Sequence, residues 1–203
     1  AAEIDLPPRH RVVFTGRLHP QKNLDLLLDI WPEVVSMTGA SLILVGDGPE
    51  RERLAKRVRD RGLTAHVHFT GSVPSPAEYL RAADAFALPS VAEGMSNSLL
   101  EAMATGLPCL ASDIGGNTDL LGRGDAGLLL PADRKAWTRA LAGVLTDREL
   151  AARLGAAGRR RIDEEFALPR VVDRYVELYR RLISGRPVAE VSPPSVGAPS
   201  RPG

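Results

Sequence analysis

The chain has 203 residues, of which 44% are hydrophobic and 4% aromatic, and it carries 26 Lys and Arg against 25 Asp and Glu. A formal net charge of +1 provides no overall excess that would favour nucleic acid or an anionic membrane as a partner. The single cysteine, Cys109, excludes an internal disulfide and is typical of a reducing compartment, so we expect a cytoplasmic protein with an aliphatic core.

The predicted elements alternate between short apolar runs and amphipathic helices. The stretch 1–10 contains two adjacent prolines and is predicted to be a linker. Apolar runs predict strands at 11–16, 41–46, 66–71, 84–90, 108–112 and 126–131. Helical periodicity predicts helices at 19–35, 49–62, 74–83, 96–106, 133–145, 147–166 and 166–183. The last stretch, 184–203, is rich in Pro, Ser and Gly and predicts a disordered tail.

This alternation indicates one α/β domain over residues 11–183, with a parallel sheet covered by helices on both faces. Such sheets bind ligands at the carboxyl ends of their strands. Several polar residues and glycines are predicted to meet at that edge, in the pairs Gly16-Arg17, Gly46-Asp47, Pro89-Ser90 and Ser112-Asp113. A glycine that merely ends a strand is the alternative interpretation for any one of these positions.

The stretch EGMSNSLLEAMATG at 93–106 combines a helix start with two carboxylates. Ser96 or Asn97 can cap the helix, so backbone N–H groups near Glu93 attract anions such as phosphate. Glu93 would repel a bare phosphate, and a ligand with both phosphates and hydroxyls resolves this conflict, because a carboxylate accepts hydrogen bonds from sugar hydroxyls. Glu101 has apolar neighbours in the sequence and could accept from a second diol. Alternatively, Glu93 stabilises the helix dipole and Glu101 is solvated.

A second segment, GRLHPQKN at 16–23, brings two cations to the end of the first predicted strand. Arg17 could hold a phosphate through two hydrogen bonds, and Lys22 could add a compact charge. A solvated loop with two cations is the alternative.

Four segments, GRLHPQKN, LVGDGPE, HFTGSV and EGMSNSLLEAMATGLPCLASDIGGN, carry a family resemblance. In their order and spacing, the chain resembles the C-terminal half of the group 1 glycosyltransferases, also called family 4, over residues 11–183. The glutamate pair Glu93 and Glu101 matches the hallmark of that family. The resemblance implies the donor-binding domain of a retaining enzyme with the two-domain GT-B fold, in which each domain is a Rossmann-like parallel sheet with helices on both faces.

The resemblance also assigns roles to residues by their position. Arg17 and Lys22 would neutralise the diphosphate of a UDP- or GDP-sugar, and Glu93 would bind hydroxyls of the transferred sugar; these three are the candidate catalytic residues. Glu101 would bind the ribose hydroxyls, and the main chain of Val73 would contact the base. The remaining residues expected to line the donor site are Gly16, Gly94, Met95, Ser96, Asn97 and Ser98.

Reaction without a metal or cofactor is a further implication, because cations and a helix end replace the metal in this family. The sequence agrees in having no Asp-x-Asp motif. Retention in such enzymes is thought to proceed by front-face attack, with the leaving phosphate accepting the proton of the acceptor. The chain departs from the family pattern in two places: residues 94–97 are Gly-Met-Ser-Asn where many relatives carry Phe-Gly, and 115–119 ends in Asp where Glu is usual.

The family pattern includes an N-terminal acceptor-binding domain that these 203 residues do not contain. We expect the predicted helix 166–183, which packs on that domain in the family, to be partly exposed or to fold back. The isolated chain should bind a nucleotide sugar but transfer it poorly, and any peripheral membrane contact should come through the full-length enzyme. Two alternatives remain: a non-catalytic nucleotide-sugar-binding module that regulates a partner, and another GT-B enzyme such as a sugar-nucleotide epimerase.

Overall fold

A computed structural model of the chain describes residue 7 and residues 10–184. Its strands are β1 Arg11–Thr15, β2 Ser41–Val45, β3 Val67–Gly71, β4 Ala85–Leu88, β5 Cys109–Ser112 and β6 Leu128–Leu130. Its α-helices are α1 Leu24–Thr38, α2 Arg51–Asp60, α3 Ala77–Ala82, α4 Asn97–Ala104, α5 Gly115–Leu121, α6 Arg134–Thr146, α7 Arg148–Arg161 and α8 Leu168–Ile183. A 3-10 turn covers Pro20–Lys22, and a π-helical turn covers Ile162–Phe166.

The six strands form one parallel sheet in the order β3-β2-β1-β4-β5-β6. Every residue of β2, β4 and β5 is buried, which requires helices on both faces of the sheet. The predicted α/β class and the parallel sheet are confirmed. Helix α5 was not predicted, because its sequence GGNTDLL starts with two glycines and carries no helical apolar stripe.

Two groups of helices surround the sheet. The first consists of α1, which packs against α2 and α6, and the second is centred on α4, which packs against α3, α5 and α7. Trp31 of α1 and Trp137 of α6 are both fully buried, and each indole N–H donates to a backbone carbonyl. The aliphatic core predicted from the composition therefore contains two large aromatic anchors as well.

A charge network joins α1 to α2 and α6. Asp25 accepts two hydrogen bonds from Arg53, at 3.0 and 2.6 Å, and pairs with Arg57 as well. Asp29, whose side chain is 8% exposed, accepts from Arg57, Arg61 and Arg134. The hydrogen bonds from Arg53, supported by the attraction of both guanidinium groups, lower the pKa of Asp25 although burial opposes the change.

We expect Asp25→Asn to lower the free energy of unfolding at pH 7 and to approach the wild type as the pH falls through the lowered pKa of Asp25. Because the pKa of Asp25 is lowered in the folded chain, its carboxylate stabilises the fold above the ordinary pKa near 4, and this contribution is lost as the pH falls through the lowered value. Urea unfolding across this pH range measures it, with Asp60→Asn as the exposed control, since Asp60 pairs only with Lys56 among the described residues. A gap that stays constant from pH 7 to pH 3 would contradict the prediction.

The last helix, α8, exposes an apolar face. None of its residues is buried, and Leu168, Tyr175, Tyr179 and Ile183 are all more than half exposed. The expected exposure of this helix is therefore observed. Among the described residues, no helix is both long enough and apolar enough to cross a membrane. The predicted linker, apart from residues 7 and 10, and the predicted tail, apart from residue 184, lie outside the described residues.

Candidate donor site

The strand order reverses between β1 and β4, so the loops that follow these two strands diverge and leave a crevice at the carboxyl edge of the sheet. The loop after β1 also contacts the loop after β2. A β-carbon at Gly46 would lie 2.0 Å from the carbonyl oxygen of Gly16, and Gly46 has a positive φ of 131°, so this close approach requires glycine. The backbone N–H of Gly16 donates to Val45 at 2.9 Å.

The 3-10 turn after β1 places Lys22. Nδ1 of His19 accepts a hydrogen bond from the backbone N–H of Gln21 at 3.3 Å, and Pro20 begins the turn. Asn23 then adopts a left-handed backbone conformation with φ 50°, which Asn tolerates, and α1 starts immediately after it. The ammonium group of Lys22 is consequently held within the crevice.

Lys22 and Glu93, which lie 71 residues apart in the sequence, form an ion pair at the centre of the crevice. Nζ of Lys22 lies 2.5 Å from Oε1 of Glu93. The Glu93 side chain is only 8% exposed and that of Lys22 18%, so both charges are largely removed from water. The hydroxyl of Ser90 donates to the same Oε1 at 2.6 Å. Among the described residues, none donates to the second carboxylate oxygen, Oε2.

Two further hydrogen bonds tie the 3-10 turn to the loop after β4. The side-chain amide of Gln21 donates to the carbonyl of Ala92 at 2.6 Å, and the backbone N–H of Val91 donates to the carbonyl of Gln21 at 2.9 Å. The cationic and the acidic sides of the crevice therefore form one connected unit.

Helix α4 points its N-terminus into this crevice. Ser96 is its N-cap, accepting from the N–H of Leu99 at 3.4 Å, and its hydroxyl lies 3.0 Å from that of Ser98. Gly94, Met95 and Asn97 are exposed, and Met95 is 65% exposed. The positions expected to cradle sugar and phosphate thus surround the positive end of a helix dipole.

Helix α5 packs against the loop that contains Glu93 and Gly94. A β-carbon at Gly116 would lie 1.7 Å from the carbonyl oxygen of Gly94 and 2.6 Å from that of Glu93. Only glycine permits α5 to approach the loop so closely. In the segment that departs from the family pattern, the structure thus shows a backbone contact with the Glu93–Gly94 loop.

Glu101 lies on the exposed face of α4, so the apolar residues that adjoin it in the sequence do not surround its carboxylate. Its sequence neighbours Ala102 and Met103 are turned into the core, whereas Glu101 itself faces an open pocket of about 400 Å³. The other residues that line this pocket are Pro74, Ser75, Pro76, Ala77, Leu80, Ala104 and Thr105. Half-buried Val73, which packs against the core, directly precedes the first of them.

The structure brings most of the predicted site residues to one edge of the sheet, but Arg17 takes no part in the central ion pair. Arg17 is exposed, and no described residue pairs with its guanidinium. Within the described part of the chain, no group of three or more His, Cys, Asp or Glu residues is placed to hold a metal ion. Buried Cys109 donates to a backbone carbonyl, and burial raises the pKa of its thiol, so it is not poised to act as a nucleophile.

Chemically, the crevice offers cations and outward N–H groups for phosphate, next to two carboxylates for hydroxyl groups. Sequence analysis missed the contributions of Ser90 and Gln21. The position of Ser90 at a predicted strand end indicated that it could lie near the site, but its hydrogen bond to Glu93 could not be deduced from the sequence.

The chain is similar in sequence to known proteins. The family model described as "Glycosyl transferases group 1" matches residues 9–147. A GDP-mannose-dependent alpha-(1-6)-phosphatidylinositol monomannoside mannosyltransferase from Mycobacterium tuberculosis is 37% identical over 179 residues, covering 78% of this chain and 46% of that protein. The chain therefore spans about half the length of this curated relative.

The fold also occurs in many solved structures. Alr3699/HepE from Anabaena, crystallised in complex with UDP, matches with a TM-score of 0.76 and 25% identity, over 86% of this chain and 49% of that one. The C-terminal domain of a group 1 family protein, LpcC, from Francisella tularensis matches with a TM-score of 0.72 and 19% identity, over 80% of this chain and 89% of that one. The latter similarity concerns the fold alone.

Proposed function

The chain belongs to the group 1 glycosyl transferases, and on that premise we propose that it is the donor-binding domain of a retaining, metal-independent glycosyltransferase whose donor is a UDP- or GDP-sugar. The observation that carries this proposal is the Lys22–Glu93 ion pair at the switch point of the sheet, beside the N-terminus of α4. It joins a phosphate-binding cation to a hydroxyl-binding carboxylate within one crevice.

The diphosphate of the donor binds between Lys22, Arg17 and the first turn of α4. A cation and outward backbone N–H groups are the groups that proteins use to bind phosphate without a metal. Unpaired Arg17 at the exposed rim is available to reach the same phosphates. The two cations also stabilise the charge that develops on the leaving diphosphate.

The sugar and the nucleoside lie on either side of the diphosphate. Glu93 accepts hydrogen bonds from hydroxyls of the transferred sugar, because its Oε2 receives none from the described residues. Glu101 accepts from the ribose hydroxyls, and the base enters the pocket beside Pro74, where the main chain of Val73 contacts it. The apolar walls of that pocket suit the flat face of a base.

In the transfer step, the bond between the sugar C1 and the β-phosphate oxygen breaks while the acceptor oxygen bonds to C1 on the same face. The proton of the acceptor hydroxyl passes to the leaving β-phosphate oxygen, so charge and atoms balance. The largely buried carboxylate of Glu93 adds electrostatic stabilisation of positive charge on the sugar ring. We place the acceptor on a further domain, since the chain spans about half of its curated relative.

We expect Glu93→Ala to separate recognition of the sugar from recognition of the nucleotide. The variant should bind UDP or GDP at least as tightly as wild type, because Lys22 is released from its ion pair. It should bind the matching nucleotide sugar about 10- to 100-fold more weakly than wild type, since hydrogen bonds to a charged group contribute about 1.5–3 kcal/mol. Calorimetric titration measures both, and equal losses for the two ligands would contradict this division of roles.

A further inference from the structure

We propose that Ser90 is a positioning residue for the donor sugar, acting through Glu93; this inference rests on the proposed function. Its hydroxyl donates to Oε1 of Glu93 at 2.6 Å. Lys22 donates to the same oxygen at 2.5 Å. Together the two donors fix the carboxylate so that Oε2 is the oxygen offered to the ligand.

The position of Ser90 is set by the sheet rather than by a mobile loop. Ser90 is 1% exposed and lies two residues after the end of β4, which pairs with β1 on one side and β5 on the other. The central strands therefore hold the Ser90 hydroxyl in place, and this hydroxyl in turn fixes the carboxylate of Glu93, three residues later. Exposed Gln21 reinforces the same loop at Ala92 from the opposite side of the crevice.

The need for Ser90 becomes greatest when the donor is bound. The diphosphate competes with Glu93 for the Lys22 ammonium, because both are anions within reach of one cation. Once Lys22 turns toward the phosphate, Ser90 is the remaining described donor to Oε1 and keeps the carboxylate aimed at the sugar. Recognition of the sugar, but not of the diphosphate, therefore depends on Ser90.

Calorimetry on the 203-residue chain tests this with UDP, GDP, UDP-glucose and GDP-mannose as probes. Ser90→Ala should weaken binding of the nucleotide sugar about 10-fold, which corresponds to the lower end of the range for one hydrogen bond to a charged group. Binding of the free nucleoside diphosphate should change less than about twofold. Ser41→Ala is the matched control, because Ser41 is also buried but lies at the amino end of β2, away from the crevice.

A double-mutant cycle separates positioning from a general structural role. In a Glu93→Ala background, Ser90→Ala should have no further effect on nucleotide-sugar binding. Ser90→Cys has a side chain of similar shape with a weaker donor, so its affinity for the nucleotide sugar should lie between those of the wild type and Ser90→Ala. This variant replaces Ser90→Ala in the test if Ser90→Ala does not fold.

The outcomes distinguish this inference from the proposed function. If the folded wild-type chain binds none of the four probes, the proposed function fails. If the wild type binds a nucleotide sugar more tightly than the free nucleotide, and folded Ser90→Ala shows the same ratio of the two affinities, only the role of Ser90 is overturned. Equal weakening for both ligands by Ser90→Ala, or an undiminished effect in the Glu93→Ala background, overturns it as well.

Discussion

Replacing Lys22 with alanine is expected to weaken binding of the nucleoside diphosphate by about 100-fold. Two effects combine in this variant. The phosphate loses a charge-assisted hydrogen bond, and Glu93, whose side chain is only 8% exposed, loses the cation that neutralises it. An unpaired carboxylate beside the helix N-terminus then repels the incoming diphosphate. Titration of the variant with UDP and GDP measures the loss.

The two effects can be separated. Lys22→Ala combined with Glu93→Ala should regain part of the lost diphosphate affinity, because the repulsive carboxylate is gone. Lys56→Ala is the matched control, since Lys56 is exposed on α2 and pairs with Asp60. Diphosphate binding that is unaffected by Lys22→Ala, in a variant with wild-type thermal stability, would show that the phosphates bind elsewhere.

Glu101→Ala is expected to weaken binding of both the nucleotide and the nucleotide sugar by about 10- to 100-fold. Glu101 contributes the carboxylate of the pocket beside Pro74, and two ribose hydroxyls would each donate to it. Since both ligands contain the ribose, the loss should be equal for the two. This distinguishes Glu101 from Glu93, whose removal affects only the ligand that carries the sugar.

A deoxyribose analogue gives an independent reading of the same contact. Removal of the 2′-hydroxyl from the nucleoside diphosphate should weaken its binding to the wild type. The same removal should have little effect on binding to Glu101→Ala, because that variant has already lost the carboxylate that accepts from this hydroxyl. Glu78→Ala is the control, because Glu78 is exposed on α3 and does not line the pocket. If removal of the 2′-hydroxyl weakens binding to Glu101→Ala as much as binding to the wild type, the ribose does not contact this carboxylate.

The sheet was predictable because its strands are mostly apolar runs, as expected of strands that are covered by helices on both faces. Their spatial order was not predictable from these runs, since it depends on how each crossover packs. The ion pair between Lys22 and Glu93 likewise depends on β1 and β4 being neighbours, although the two residues are 71 positions apart.

The environment of Glu101 shows how sequence adjacency misleads. Residues next to each other in a helix point in different directions, and the relevant neighbours lie three and four positions away. For Glu101 these are Asn97, Ser98, Ala104 and Thr105, none of which is fully buried. Helical spacing applied at this position would have predicted an exposed carboxylate, as the structure shows.

We propose that these residues form a nucleotide-sugar site that works without a metal. The most direct measurement is calorimetric titration of the 203-residue chain in the presence of a chelator, with UDP, GDP and their glucose, mannose and N-acetylglucosamine derivatives. We predict binding of one base family, with higher affinity when the correct sugar is attached. A folded chain that binds none of these ligands, or binds them only after a divalent cation is restored, would contradict the claim.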